Sequence, residues 1–227
     1  MTELNQEVIA VIGGTGAEGS GFAWRWAQAG LQVIIGSRAA EKGQAAADEI
    51  NRRLGRTAAR GADNLAASQQ ASIVVLSVPY ESQAAILDSI RPGLAGKLLV
   101  TVVAPLLGEK KGRYTPPPGG AAALEAQAQV GPETRVVAAV QNVGAHHLTN
   151  DDHAIDCDVL VCGDARADRA LAVELAAAAG LRGVHSGVLA NAAVAEGMTA
   201  VLVSINAAYK VRSAGIRITG LPAEEAA

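Results

Sequence analysis

The run Val8-Ile9-Ala10-Val11-Ile12 passes straight into Gly13-Gly14-Thr15-Gly16-Ala17-Glu18-Gly19, and helical spacing begins at once after it. An unbroken apolar run rich in β-branched residues is what a strand covered on both faces needs, as in a parallel sheet. Gly14, Gly16 and Gly19 spell G-x-G-x-x-G between that strand and that helix, the context in which the motif acquires meaning. The first glycine permits a tight turn, the second lets the backbone approach a pyrophosphate, and the third lets the helix lie close to the strand. Phosphates then rest on the free N–H groups at the helix start.

The same rhythm continues along the chain. "LQVIIGSR" is a second strand, "AAEKGQAAADEINRRLG" a helix, and "SIVVLSVP" a further strand after a loop centred on Gly61 to Asn64. A helix through "SQAAILDSI", a strand at "KLLVTVVAP", the excursion "RYTPPPGG", an Ala-rich helix and the strand "TRVVAAVQNV" follow. Beyond about residue 144 come the strand "CDVLVCGD", the helix "RADRALAVELAAAAGL" and a long Ala-rich helix from Leu189 to Tyr209, with no strand expected between the two helices. The pattern predicts an α/β chain: a Rossmann-type doubly wound, mostly parallel sheet over residues 1–144, and a smaller, largely helical part over residues 145–227.

Composition excludes several function classes. Among 227 residues the formal net charge is -3 with no basic block, so no nucleic-acid partner is expected. Apolar runs are broken by Gly, Asp or Arg before the ~18 residues a membrane span needs. The N-terminal residues lack a signal-peptide layout, so a cytoplasmic protein is expected. Cys157 and Cys162 are too few and too close for a disulfide scaffold and read as reduced packing residues. Aromatic residues make up only 3%, so the core is built from Ala, Val, Leu and Ile, a composition that suits oligomers.

The end of the second strand selects the dinucleotide. An NAD site places Asp or Glu there, about 20 residues after the glycines, whereas this chain has Ser37, Arg38 and then Lys42. A hydroxyl, a guanidinium and an ammonium bind a 2′-phosphate through charge-assisted bonds, so NADP is favoured. No catalytic acid or base stands out: Tyr80, Tyr114 and Tyr209 have no Lys four residues on. His146, His147, His153 and His185, even with Asp151, Asp152 and Cys157, match no metal-ligand spacing, and no metal is expected. His146 and His147 read as lining a pocket or capping the chain that leaves the last sheet strand.

"VIGGTGAEGSGFAWRWAQAGLQVIIGSRAAEKG", "VVLSVPYES", "CDVLVCGD" and "GVLANAAVAEGMTAVLVSIN" together resemble the NADPH-dependent coenzyme F420 reductases. The resemblance implies direct hydride transfer between the nicotinamide of NADP and the 5-deazaflavin of F420, held in a cleft between two domains, in a homodimer. It also accounts for the missing acid and base, since the chemistry resides in the two cofactors. Residue by residue it implies pyrophosphate contacts at Thr15, Gly16, Ala17 and Glu18, and 2′-phosphate contacts at Ser37, Arg38 and Lys42. Further NADP contacts are implied at Ser77, Val78, Gln83, Val103 and Ala145, with the deazaflavin against Gln141 to Ala145, including Val143, and against Leu189 to Ala195.

One departure stands out. Family members carry a His-Thr-Ile-Pro-Ala type segment where this chain has Gln141-Asn142-Val143-Gly144-Ala145, so an amide replaces the imidazole at its head. Lys210, Arg212 and Arg217 read equally as a site for the anionic tail of F420 and as the solvated basic end of a helix. Two alternatives stay open: an NADP-dependent reductase of another small substrate, and a non-catalytic NADP-sensing protein.

Overall fold

The structure, a computed structural model, describes residues 4–106, 112–149 and 155–221. Strand β1 (Val8–Ile12) leads through the glycine turn into α1 (Ala17–Gln28) and on to β2 (Gln32–Ser37), α2 (Ala40–Leu54) and β3 (Ala59–Asp63). Next come α3 (Asn64–Gln70), β4 (Ile73–Leu76), α4 (Tyr80–Ile90), β5 (Leu98–Thr101), α5 (Ala122–Val130) and β6 (Arg135–Ala138). The chain then forms α6 (Ala145–Thr149), β7 (Asp158–Gly163), α7 (Arg166–Ala178), β8 (Arg182–His185) and α8 (Ala192–Tyr209).

The strands form one eight-stranded sheet in the order β3-β2-β1-β4-β5-β6-β7-β8. Every neighbouring pair is parallel except β6 and β7, where Val137 faces Gly163 and Ala138 faces Cys162 in antiparallel register. The order reverses between β1 and β4, which opens a crevice at their carboxyl ends, the place where doubly wound sheets bind ligands.

Alternation along the strands divides the core into two layers. Ile9 and Val11 of β1 face α1, α2 and α7, whereas Ala10 and Ile12 face the layer of α3, α4 and α5. Phe22 and Trp26 stack at 5.1 Å in the first layer, and the Trp26 indole N–H donates to the Leu175 carbonyl at 2.8 Å, tying α1 to α7. The second layer is Ala-rich at α5 and at the start of α8, through Ala122, Ala123, Ala126, Ala192 and Ala195, so these helices approach closely. Helix α1 stops at Gly30 (φ +97°), as its sequence predicts, and α2 stops at Gly55 (φ +66°).

Two expectations are corrected. The segment expected to loop around Gly61 to Asn64 is the edge strand β3 followed by α3, with Ile35 in register with Gly61. Its sequence, Ala-Arg-Gly-Ala-Asp, carries no apolar pattern because α2 covers it at backbone distance: a Cβ on Gly61 would lie 2.0 Å from the Gln44 nitrogen. Secondly, β8 lies between α7 and α8, where no strand was expected; it too is an edge strand, with only Gly183 buried.

The Pro-rich excursion, over its described residues, lies on α8. The Tyr114 hydroxyl donates to the Ala193 carbonyl at 3.3 Å, and a Cβ on Gly197 would lie 3.3 Å from its ring. Cys157 and Cys162 are both buried and free, and burial pushes both thiols up, Cys162 to about 11.

Candidate functional site

The glycine turn is built by close approach. The left-handed residue is Gly13 (φ +82°), one position before the expected tight-turn glycine, and a Cβ there would lie 2.1 Å from the Ser77 carbonyl oxygen. Gly14 donates its N–H to both Val11 and Gly36, each at 3.2 Å, which locks the turn onto β1 and β2. A Cβ on Gly19 would meet the Gly13 carbonyl oxygen at 2.6 Å, so α1 lies close over the turn as the third motif glycine predicts. Gly16 holds the position before α1 and offers no side-chain acceptor to the first N–H groups, so the helix start is uncapped.

Beside this turn opens a cleft of about 450 Å³ at the β1/β4 crevice. It gathers Thr15 and Gly16 from the turn, Ser37, Arg38 and Lys42 from the β2–α2 junction, and Ser77 and Val78 from the end of β4. Among the described residues, two cations line it and no carboxylate does. Asp63, next to the lining residue Asn64, is turned onto the Ala66 N–H at 2.8 Å, where it caps α3. Arg38 and Lys42 are exposed, whereas Ser37 is buried, with its oxygen 3.4 Å from the Ala39 nitrogen. A turn with no room for side chains, an uncapped helix start and a cationic wall fit a phosphorylated dinucleotide.

The other predicted residues lie outside this cleft. Ala17 and Glu18 open α1 without lining it, and burial pushes the Glu18 carboxyl up to about 8. Gln83 is buried and donates to the Ala122 carbonyl at 2.9 Å, joining α4 to α5, while its own side-chain oxygen has no partner among the described residues. Val103 is buried in the second layer just beyond β5. Gln141 and Val143 are buried just beyond β6, and Ala145 begins α6.

Gln141 sits on strained backbone. The residue before it, Val140, holds φ +73°, a costly conformation for a β-branched side chain. The Gln141 amide donates to the Thr101 carbonyl at 3.1 Å, and its backbone carbonyl accepts from Thr199 of α8 at 2.8 Å. Its side-chain oxygen is buried without a donor among the described residues. Asn142 is fixed by donation to the Asp158 carbonyl at 2.6 Å. The loop after β6 is thus held from three directions, and one amide oxygen remains unsatisfied.

Residues 8–105 match the family described as NADP oxidoreductase coenzyme F420-dependent. Over 224 residues, 96% of this chain and 97% of the relative, the sequence is 42% identical to the F420-dependent NADP reductase of Methanothermobacter thermautotrophicus. The chain belongs to the F420-dependent NADP reductases. It is also 36% identical to the F420-dependent NADP reductase of Methanocaldococcus jannaschii, across 94% of this chain and 98% of that one. A crystal structure from Arthrobacter sp. FB24, described as that of a candidate F420-dependent NADP-reductase, superposes with a TM-score of 0.79 at 25% identity. The match covers 94% of this chain and all of that one (100%).

In this member of the family, sequence reasoning missed Gly13, Asn64, Ser82 and Ile86, all of which line the cleft. Ser82 and Ile86 were readable as an i, i+4 pair on one face of α4. Asn64 was not, because the strand that delivers it had no apolar signature.

Several other polar groups singled out in the sequence have structural partners. The His146 and His147 rings lie 4.3 Å apart on α6, and Arg25 of α1 clamps that helix by donating to the His147 and Leu148 carbonyls at 2.8 and 3.0 Å. Arg217 pairs with Asp156 at 2.9 Å and approaches Asp158 at 3.6 Å. Asp151, Asp152 and His153 lie outside the described residues. Among the described residues no group of three or more His, Cys, Asp or Glu is placed to hold a metal ion.

Proposed function

We propose that this chain passes a hydride directly between NADP(H) and coenzyme F420, with NADP in the cleft beside Gly13–Gly16. The observation that carries the reading is the cleft itself, a glycine turn without room for side chains whose far end is lined, among the described residues, by Ser37, Arg38 and Lys42 and by no carboxylate. The start of α1 would take the pyrophosphate, and Ser37, Arg38 and Lys42 the 2′-phosphate.

When both are bound, the nicotinamide and the deazaflavin supply the redox chemistry, NADPH + F420 + H⁺ giving NADP⁺ + F420H₂ in the reducing direction. The protein's part is proximity and orientation, so no acid–base pair of side chains is required. Residues 145–227 would complete the F420 side of the cleft. The unsatisfied Gln141 oxygen supports a polar ligand group there. An amide in this place hydrogen-bonds without changing its charge.

The active form in this reading is a homodimer. Helix α8 exposes Val194, Val201 and Ile205, while its buried face carries Glu196 against α5. With the turn before it, the segment Leu189–Tyr209 is long and apolar enough to cross a membrane by length and composition, contrary to the interrupted runs expected from the sequence. The buried carboxylate bonded to α5 favours a second copy of the chain as its cover.

The deciding assay mixes the purified protein with NADPH and oxidised F420 and follows the deazaflavin absorbance. Bleaching that depends on the protein is expected. No bleaching from acidic to alkaline pH, with NADPH shown to bind, would overturn the F420 assignment and leave the NADP site standing.

A further inference from the structure

Asn64 is only 8% exposed, yet among the described residues its amide oxygen has no hydrogen-bond partner. Buried acceptors are nearly always satisfied, and one left open beside a cavity points to a donor supplied from outside. Asn64 lines the same cleft as Ser37, Arg38 and Lys42. The parallel register sets Ser37 opposite Asp63, so Asn64 is the next residue beyond the strand ends. Room for the amide comes from Gly36, where an added Cβ would lie 3.1 Å from the Asn64 oxygen. Asn64 therefore brings its amide to the wall of the cleft that also carries the two cations, with the oxygen itself buried against Gly36.

The chemistry of the ligand identifies the donor. A 2′-phosphate offers only acceptors, and those suit Ser37, Arg38 and Lys42. The adjoining 3′-hydroxyl is the nearest ribose group that can donate. A carboxylate would accept from it too, but would repel the phosphate; an amide accepts without that repulsion. We infer that Asn64 is a specificity residue of the nucleotide site, accepting a hydrogen bond from the 3′-hydroxyl of the 2′-phosphorylated ribose. The inference rests on NADP occupying this cleft.

Calorimetric titration of the whole protein with adenosine 2′,5′-bisphosphate, its 3′-deoxy analogue and adenosine 5′-monophosphate tests both levels. The native protein is expected to bind the 3′-deoxy analogue about tenfold more weakly than the bisphosphate, and Asn64→Ala to bind the two within about twofold of each other. Asn64→Asp, nearly the same shape, should lose the bisphosphate by more than about tenfold while the 5′-monophosphate changes little. A thermal melt of each variant separates lost binding from lost folding. An equal 3′-deoxy penalty in native protein and Asn64→Ala, or an Asn64→Asp variant that keeps the bisphosphate, would overturn the inference while the NADP reading survives. Native protein that prefers the 5′-monophosphate to the bisphosphate would overturn that reading and the inference with it.

Discussion

The Glu196 carboxylate of α8 accepts the backbone N–H of Ala122 at 2.7 Å, with a second bond from the neighbouring Ala123 at 2.9 Å. Helix α5 begins after Ala121, which has no polar side chain, so a residue distant in the chain supplies its cap. Glu196 is fully buried, and burial pushes its carboxyl up to about 7 although the two N–H bonds hold it down. A carboxyl raised in the folded state binds its proton more tightly there than in the unfolded chain. The stability it contributes is complete below about pH 4.5 and is lost as pH rises through about 7. Glu18, raised to about 8, acts in the same direction. Urea unfolding between about pH 4.5 and 8 is therefore expected to show stability falling with pH, and Glu196→Gln to flatten that slope. A slope unchanged in the variant would count against a buried, titrating Glu196.

Arg38 is exposed at the mouth of the cleft. Its replacement should therefore report on ligand binding more than on folding. Charge-assisted hydrogen bonds contribute about 1.5–3 kcal/mol, so Arg38→Asp is expected to weaken NADPH binding by about 100-fold. NADH, which lacks the 2′-phosphate, should weaken by less than about threefold. Fluorescence titration with both nucleotides gives the comparison, and equal losses would refute the 2′-phosphate role.

What could be read in advance follows from burial. Strands β1, β2, β4 and β5 are covered on both faces, so their residues had to be continuously apolar and the strands were visible. At the edges the constraint relaxes: β3 needs only a backbone ladder and a glycine beneath α2, and β8 only one inward residue. Within the site, Ser37, Arg38 and Lys42 were legible because they stand where an NAD site places a carboxylate. Asn64 was not, because it enters the cleft through a strand pairing that no local pattern encodes. Gln141 was noticed for its position, but its strained neighbour Val140 and its unsatisfied oxygen are tertiary facts, set by Thr101 and Thr199.

Val194, Val201 and Ile205 recur at helical spacing on α8 and remain 67%, 49% and 37% exposed. If this stripe is the interface between two copies, light scattering on the native protein should give twice the chain mass. Val201→Glu should shift the population to the single-chain mass while NADPH binding persists, since the nucleotide cleft lies on other elements. A variant that keeps the doubled mass would place the interface elsewhere.

Asp158, at the start of β7, is fully buried and anchors the end of the chain. It accepts from the Arg182 Nε at 2.7 Å, from the second Arg182 nitrogen, and from the Ile218 N–H at 2.6 Å; its own N–H donates to the Ile216 carbonyl at 2.8 Å. Burial alone would push its carboxyl up, but Arg182, the Ile218 N–H and Arg217 together outweigh burial and hold it below the usual carboxylate range. Here the sign is opposite to that of Glu196. The stabilisation is present above about pH 3.8 and is lost as pH falls through the depressed pKa. Asp158→Ala leaves the partly exposed Arg182 guanidinium without its carboxylate and is expected to lower stability in urea unfolding. The same change releases the segment that follows α8, so limited trypsin digestion should cut at Arg212 and Arg217 faster than in the native protein. Unchanged cleavage at both sites, together with unchanged stability, would show that the segment is held without Asp158.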